Sequence, residues 1–176
     1  MLNYGKPYAG DDCVLLSHLT QRAILPAFEL LPERMGTKAA TVFLLAIALQ
    51  ESGAKARRQA ADGPARGYWQ FEHGGGVAGV LAHPSSAYYA SAVCAALDYE
   101  ANSVVVYRAI EHNDILAAAF ARLLLWTLPQ PLAVYQGAAL EQYLDTWRPG
   151  APHPERWEAN WNLATDHVRG SANDDS

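Results

Sequence analysis

Residues 39–49 form an apolar segment that carries no charge and whose only hydroxyl belongs to Thr41. A helix that faces water needs a polar side, so this composition predicts a helix that is buried on every face. Thr37 is suited to cap the helix N-terminus, and Gly53 is suited to the left-handed position just beyond its C-terminus. We therefore predict a buried helix over residues 38–52, around which the rest of the chain packs.

Glu51 falls in the last turn of this predicted helix. The unpaired carbonyl groups at a helix C-terminus carry partial negative charge, and the apolar body of the helix removes water, so both effects favour the neutral acid. A glutamic acid that stays protonated near neutral pH can donate a proton to a leaving-group oxygen, which is the step that cleavage of a glycoside requires. The simpler interpretation is a solvated residue at a helix end, and position alone does not exclude it.

Two further motifs follow the Glu-Ser pair at 51–52, namely GYWQF at residues 67–71 and AVYQG at residues 133–137. In their order and spacing, the three motifs resemble the signature of the lytic transglycosylase and goose-type lysozyme superfamily, which reads ES, then GLMQ, then AYN-x-G. The resemblance covers about half of the chain. It implies a lysozyme-like helical domain that cleaves the β-1,4 bond between N-acetylmuramic acid and N-acetylglucosamine in peptidoglycan.

The resemblance also implies roles for individual residues. Glu51 would be the general acid and base, and Ser52 would help to orient its carboxylate. Gly67 and Gln70 would shape the floor of the sugar-binding cleft. In the transglycosylase branch this single carboxylate is enough, because the 6-hydroxyl of the sugar replaces water and leaves a 1,6-anhydro ring. The sequence leaves open whether water or that hydroxyl completes the reaction.

Four other positions of these motifs are assigned to substrate binding. Tyr68 and Trp69 stand where the family has Leu-Met, and an aromatic ring offers a flat apolar face to a sugar. The tyrosine of AYN reaches towards the catalytic carboxylate, a role that the resemblance gives to Tyr135. Gln136 replaces the asparagine that follows this tyrosine in the family, which is a departure from the pattern.

A second carboxylate is needed wherever a glycosidase uses two acidic groups. Asp62 and Glu72 are the candidates, since both lie in the segment that follows the buried helix. Separation along the sequence does not give separation in space, so each either takes part in the chemistry or lies at the surface. The same segment carries Arg57, Arg58 and Arg66, which either line a cleft for a peptide stem or carboxylated sugar or belong to a solvated loop.

The composition is typical of one globular domain. The chain has 176 residues, of which 51% are hydrophobic and 18% charged, enough to bury a core. Its formal charge of -5 argues against nucleic acid or an anionic membrane surface as the main partner, because both bind basic faces. No HxxxH or CxxC arrangement is present, so we expect no metal, and no motif indicates a cofactor. No apolar run is long enough to predict a membrane span.

Helical spacing of apolar residues continues along most of the chain. The predicted fold is mainly α, a single lysozyme-like domain over residues 1–170 with a small hairpin or irregular lobe at residues 54–75. Trp157 and Trp161 lie one helical turn apart on the last predicted helix, and they must bury against this domain or against a protein partner. Residues 171–176 are predicted to form a disordered tail.

The N-terminus has no basic stretch followed by an apolar one, so no signal peptide is predicted. This feature favours a protein that is made in the cytoplasm, encoded by a phage, and brought to the cell wall through a holin or as a virion component. The competing hypothesis is a catalytically inactive lysozyme-like domain that serves as a glycan-binding or structural part of a phage or virion assembly. A hydrolase of another polysaccharide, such as chitin, is the third alternative.

Overall fold

The computed structural model describes residues 11–174, and the fold of this part of the chain is mainly helical, as predicted. Two π-helical turns, Thr20–Ile24 and His73–Val77, precede α2 and α4. The α-helices are α1 Asp11–Leu19, α2 Leu25–Glu29, α3 Lys38–Ser52, α4 Ala78–Ala82, α5 Ala87–Ala96, α6 Ser103–Ile110, α7 Asp114–Trp126, α8 Gln136–Trp147 and α9 Pro154–Asp174.

Helix α3 lies in the centre of the domain and has the boundaries that its capping residues predict. The hydroxyl of Thr37 accepts a hydrogen bond from the backbone N–H of Ala40 at 3.1 Å, and Gly53 ends the helix in the left-handed conformation with φ 62°. Most of the side chains between these ends are buried. Helices α7 and α9 both pack against α3, which explains why it has no polar face.

Helix α7 is the second buried helix. Asn113 caps it by accepting a hydrogen bond from the backbone N–H of Leu116 at 3.0 Å. The only charged side chain in its buried part is Arg122, whose Nε–H donates to the carbonyl of Met35 at 2.8 Å. The guanidinium also lies 5.2 Å from the ring centre of Trp126. This arginine therefore ties α7 to the turn that leads into α3.

Helix α9 buries both tryptophans that the sequence places near its start. Trp157 and Trp161 pack edge-on against Phe43 of α3, with ring centres 6.2 and 5.4 Å apart respectively. Of the two alternatives for these tryptophans, burial against the same domain is the one observed, since Trp157 is fully buried and Trp161 is 6% exposed. Within residues 11–174, none of the helices combines the length and the apolar character needed to cross a membrane.

The last helix is longer than the sequence suggests. It continues to Asp174, so residues 171–174 of the predicted disordered tail are helical. Residues 175–176 of that tail, like residues 1–10 of the predicted domain, lie outside the described part of the chain.

An irregular lobe connects α3 to α4, where the sequence predicts a hairpin or irregular structure. Its β structure consists of two isolated antiparallel bridges, between Arg58 and Arg66 and between Arg66 and Phe71. Gln70 lies in the turn between Arg66 and Phe71 and has the left-handed conformation, with φ 50°. The lobe folds back beside the C-terminus of α3 and forms one wall of the site described next.

Candidate active site

A cleft of about 1500 Å³ opens beside the C-terminus of α3, and Glu51 lies in its wall. The lobe and the π-turn after it form a second wall, and helix α8 with the α8–α9 turn forms a third. The second wall includes Gln70, Glu72 and Gly74 to Gly76. The third wall includes Tyr143, Asp145, Trp147, Arg148, His153 and Arg156.

The Glu51 carboxyl has a pKa raised from 4.5 to about 7. Burial is the main cause, since it penalises the charged form; the hydrogen bond from Tyr143 lowers the pKa, and the negative charge of Glu72 raises it. The Tyr143 hydroxyl donates to Glu51 Oε1 at 2.6 Å. At neutral pH the acid and the carboxylate are both well populated, so this side chain can both give and accept a proton.

Tyr143 is held against Glu51 by aromatic packing. Its ring is buried and stacks on Trp157, with ring centres 4.9 Å apart and an angle of 13° between the planes. Trp147 lies on the same helix with its ring centre 6.3 Å away. Burial and the neighbouring Glu51 raise the pKa of Tyr143, so its hydroxyl keeps its proton and remains a donor to the carboxylate.

The tyrosine that reaches the carboxylate is therefore Tyr143, and the prediction that gave this contact to Tyr135 is wrong. Tyr135 is 79% exposed and does not line the cleft. Helix α8 begins only at Gln136, because the Gln142 side chain holds the segment before it: it accepts from the N–H of Ala133 at 2.9 Å and donates to the carbonyl of Pro131 at 2.8 Å. The signal in the sequence was the pair Tyr143 and Trp147, which lie one turn apart on a helix.

Gln136 also differs from its predicted role in substrate binding. Its backbone carbonyl accepts a hydrogen bond from the indole N–H of Trp157 at 3.0 Å, and the residue does not line the cleft. The contact joins the first turn of α8 to α9. Gln136 thus helps to hold the helix that carries Tyr143.

Ser52 anchors the lobe rather than orienting the Glu51 carboxylate. Its Oγ lies 2.7 Å from the carbonyl oxygen of Tyr68 and 3.1 Å from that of Ala48, so its one proton is shared between two backbone acceptors. This contact joins the last turn of α3 to the lobe. The serine positions the wall of the cleft next to the acid.

Tyr68 and Trp69 do not offer sugar-stacking faces, contrary to prediction. Trp69 is fully buried, and its indole N–H donates to the carbonyl of Leu44 at 2.9 Å. Tyr68 is 7% exposed, and the guanidinium of Arg57 covers its ring at 4.6 Å from the centre. Both side chains pack the lobe onto the helices, so their aromatic surface is used in the core.

Gly67 and Gln70 form a tight turn, of which only Gln70 lines the cleft. The Gln70 amide Nε2 donates to the carbonyl of Gly67 at 2.8 Å. Gly67 has φ 72°, and a Cβ atom there would lie 2.9 Å from Cγ2 of Ile110. Glycine is therefore required for both backbone conformation and space, and it supports the cleft floor from behind.

The two candidates for a second carboxylate separate in the structure. Glu72 lines the cleft, and its charge is one of the causes of the raised pKa of Glu51. Asp62 is exposed on the short turn Ala60–Asp62 and is not among the cleft residues. The structure therefore brings Glu72 to the site and leaves Asp62 outside it.

The three arginines of the lobe are paired with two acidic residues, Asp114 on α7 and Glu111 in the turn before it. Arg57 binds Asp114 through two hydrogen bonds, of which the Nε–Oδ1 contact measures 2.9 Å. Arg58 and Arg66 both bind Glu111, each with a shortest ion-pair distance of 2.9 Å. These pairs attach the lobe to α7 and to the turn before it. Each of the three has an ion-pair partner, and because Arg58 and Arg66 share Glu111, the group keeps one net positive charge.

A scan against protein-family models, a search of curated proteins and a search of solved structures found no match for this chain. Within residues 11–174, no group of three or more histidine, cysteine, aspartate or glutamate side chains is arranged to hold a metal ion.

Proposed function

We propose that this chain is a glycosidase that cleaves the β-1,4 bond between N-acetylmuramic acid and N-acetylglucosamine of peptidoglycan. The observation that carries the proposal is a carboxyl with a pKa of about 7, hydrogen-bonded by a buried tyrosine, in the wall of a large cleft. The cleft volume of about 1500 Å³ exceeds the roughly 300–1000 Å³ of a small-molecule site and suits a polymer. The motif resemblance supports the choice of polymer.

In this proposal Glu51 acts first as an acid. It donates its proton to the glycosidic oxygen, the bond between that oxygen and the anomeric carbon breaks, and positive charge develops on the sugar ring. The hydrogen bond from Tyr143 stabilises the carboxylate that Glu51 leaves behind, and Glu72 adds a second negative charge to the cleft. The Glu51 carboxylate then accepts a proton from the oxygen that attacks the anomeric carbon.

The first experiment is digestion of purified peptidoglycan by the native protein and by Glu51→Gln, with the released muropeptides weighed by mass spectrometry. Loss of a general acid lowers the rate by about 10²–10⁴-fold, so release by Glu51→Gln should fall by that factor. Glu29→Gln is the matched control, because Glu29 is exposed on α2 and outside the cleft. It should retain the native rate.

The masses of the products identify the attacking oxygen. Products lighter by one water mean that the sugar 6-hydroxyl attacked, whereas ordinary reducing ends mean that water attacked. In the second case Glu72→Gln should also lose most of its activity. If the native protein releases nothing from walls that a control enzyme clears, the glycosidase proposal is rejected in favour of a catalytically inactive, glycan-binding or structural domain.

A further inference from the structure

Two arginines without an ion-pair partner among the described residues lie on the third wall of the cleft. Arg148 and Arg156 line it at the α8–α9 turn, both are exposed, and neither is in an ion pair with a carboxylate of the described residues. On the facing lobe, the cleft residue Arg58 does have an ion-pair partner, Glu111, which it shares with Arg66. An anionic group on a bound polymer would therefore find its partners at the α8–α9 turn.

This turn is held in place relative to the catalytic carboxyl. Gln50, the residue before Glu51, donates from Nε2 to the carbonyl of His153 at 2.9 Å. Asn160 on α9 in turn donates from Nδ2 to Oε1 of Gln50 at 2.8 Å. At the other end of the turn, the indole N–H of Trp147 donates to the carbonyl of Trp69 at 2.9 Å. These hydrogen bonds fix the backbone that carries the two arginines.

Arg148 occupies a position that ordinarily favours glycine. It follows the last residue of α8 in the left-handed conformation with φ 47°, which is unfavourable for a residue with a side chain. Its Nε–H donates to the backbone carbonyl of Asp145 at 3.1 Å, which orients the guanidinium. The arginine is therefore present here despite a local preference for another residue.

The acidic groups near this wall leave both guanidinium groups without an ion-pair partner. Glu155 is hydrogen-bonded to the His153 ring at 3.1 Å, and it also interacts electrostatically with Arg156 without forming an ion pair with it. The Asp145 side chain lines the cleft, and it is the backbone of that residue that Arg148 contacts. A planar guanidinium binds a carboxylate through two parallel hydrogen bonds, so a pair of them suits a ligand that carries carboxylates.

We infer that Arg148 and Arg156 bind the free carboxylates of the peptide stems that peptidoglycan strands carry. This inference rests on the proposed function. The α8–α9 turn is then the part of the cleft that distinguishes stem-bearing strands from neutral polymers of N-acetylglucosamine. The lobe, whose arginines are already paired, contacts the sugar backbone through Gln70.

The test measures equilibrium binding in the Glu51→Gln background, where the polymer is not consumed. Three soluble probes are compared: glycan strands with peptide stems, strands stripped of their stems by an amidase, and a neutral N-acetylglucosamine oligomer. Combined Arg148→Gln and Arg156→Gln should weaken binding of the stem-bearing strands about tenfold, the loss expected for charge-assisted hydrogen bonds. Binding of the other two probes should change less than twofold.

Arg22→Gln with Arg108→Gln is the matched control, since both residues are exposed, lie outside the cleft and make the same change in net charge. Arg148→Lys with Arg156→Lys should restore part of the lost affinity. The melting temperature of each variant is measured to check that it is folded. The inference is overturned if the control weakens binding equally, if stripped strands lose as much affinity as stem-bearing ones, or if no probe binds. Muropeptide release by the native protein tests the proposed function separately.

Discussion

At the scale of single residues, two neighbours move the pKa of Glu51 in opposite directions. The Tyr143 hydrogen bond lowers it, so Tyr143→Phe should raise it above about 7; the Glu72 charge raises it, so Glu72→Gln should lower it. An enzyme whose acid is Glu51 loses activity as pH rises through this pKa. The alkaline limb of kcat/KM should therefore move to higher pH in Tyr143→Phe and to lower pH in Glu72→Gln.

The measurement is a pH profile of muropeptide release for the native protein and both variants. At pH 7, Tyr143→Phe should also be about tenfold slower, because the carboxylate formed in the reaction loses its hydrogen bond. Asp62→Gln is the matched control for Glu72→Gln, since Asp62 is a lobe acid outside the cleft, and its profile should coincide with the native one. Shifts of the two limbs in the same direction would contradict this account of the site.

Substitution of two glycines allows the cost of a left-handed backbone to be measured separately from the cost of a steric clash. Both Gly53 and Gly67 have positive φ, but a Cβ at Gly53 meets nothing within 4 Å, whereas one at Gly67 lies 2.9 Å from Ile110 Cγ2. Gly53→Ala should cost about 1–2 kcal/mol of unfolding free energy from the left-handed conformation alone. Gly67→Ala should cost roughly 2–4 kcal/mol, because the clash adds to that term. Urea unfolding of both variants measures the difference, and equal losses would show that Ile110 yields without cost.

At the scale of helices, the stack of Tyr143 on Trp157 links α8 and α9 to the active carboxyl. Trp157→Phe and Trp161→Phe each remove buried aromatic surface against Phe43, and each should lower the unfolding free energy by about 1–3 kcal/mol. Of these two tryptophans, Trp157 is the one whose ring stacks on Tyr143 and whose indole N–H donates to the Gln136 carbonyl. Trp157→Phe alone should therefore also reduce kcat, by about threefold to tenfold.

Activity assays at a temperature where both tryptophan variants are folded measure this difference. Trp161→Phe serves as the control for lost core packing, since its ring lies against Phe43 and Trp157. If both variants lose activity in proportion to their stability, the Tyr143 stack has no separate role in holding the site.

The helices also show which features can be predicted from sequence. Both ends of α3 follow from Thr37 and Gly53, because capping is decided by contacts within a few residues. The start of α8 could not be placed in this way, since the segment before it is held by the Gln142 side chain, nine to eleven residues further along the chain. The burial of Trp69 under α3 and the ion pairs of the lobe arginines join residues far apart in the chain, so no local pattern revealed them.

At the scale of the whole molecule, the raised pKa of Glu51 means that this residue lowers the free energy of unfolding at neutral and alkaline pH. The folded pKa of about 7 lies above the ordinary value of 4.5, so between these pH values the folded state binds more protons than the unfolded state. The contribution of Glu51 to stability is then greatest below about pH 4.5, falls as pH rises towards 7, and stays at the lower value above it. The loss is roughly 3–4 kcal/mol, since each pKa unit corresponds to about 1.4 kcal/mol.

Glu51→Gln removes this titration and leaves a neutral side chain of similar shape. It should therefore be more stable than the native protein at pH 8, by roughly 3–4 kcal/mol, and nearly equal to it at pH 4. Urea unfolding at both pH values measures the two differences, with Glu29→Gln, an exposed acid, as the control that should show neither. A stability gain of the same size at pH 4 and pH 8 would mean that Glu51 ionises normally in the folded state. The gain at pH 8 together with lost activity would show that this fold keeps an unfavourable carboxylate for its chemistry.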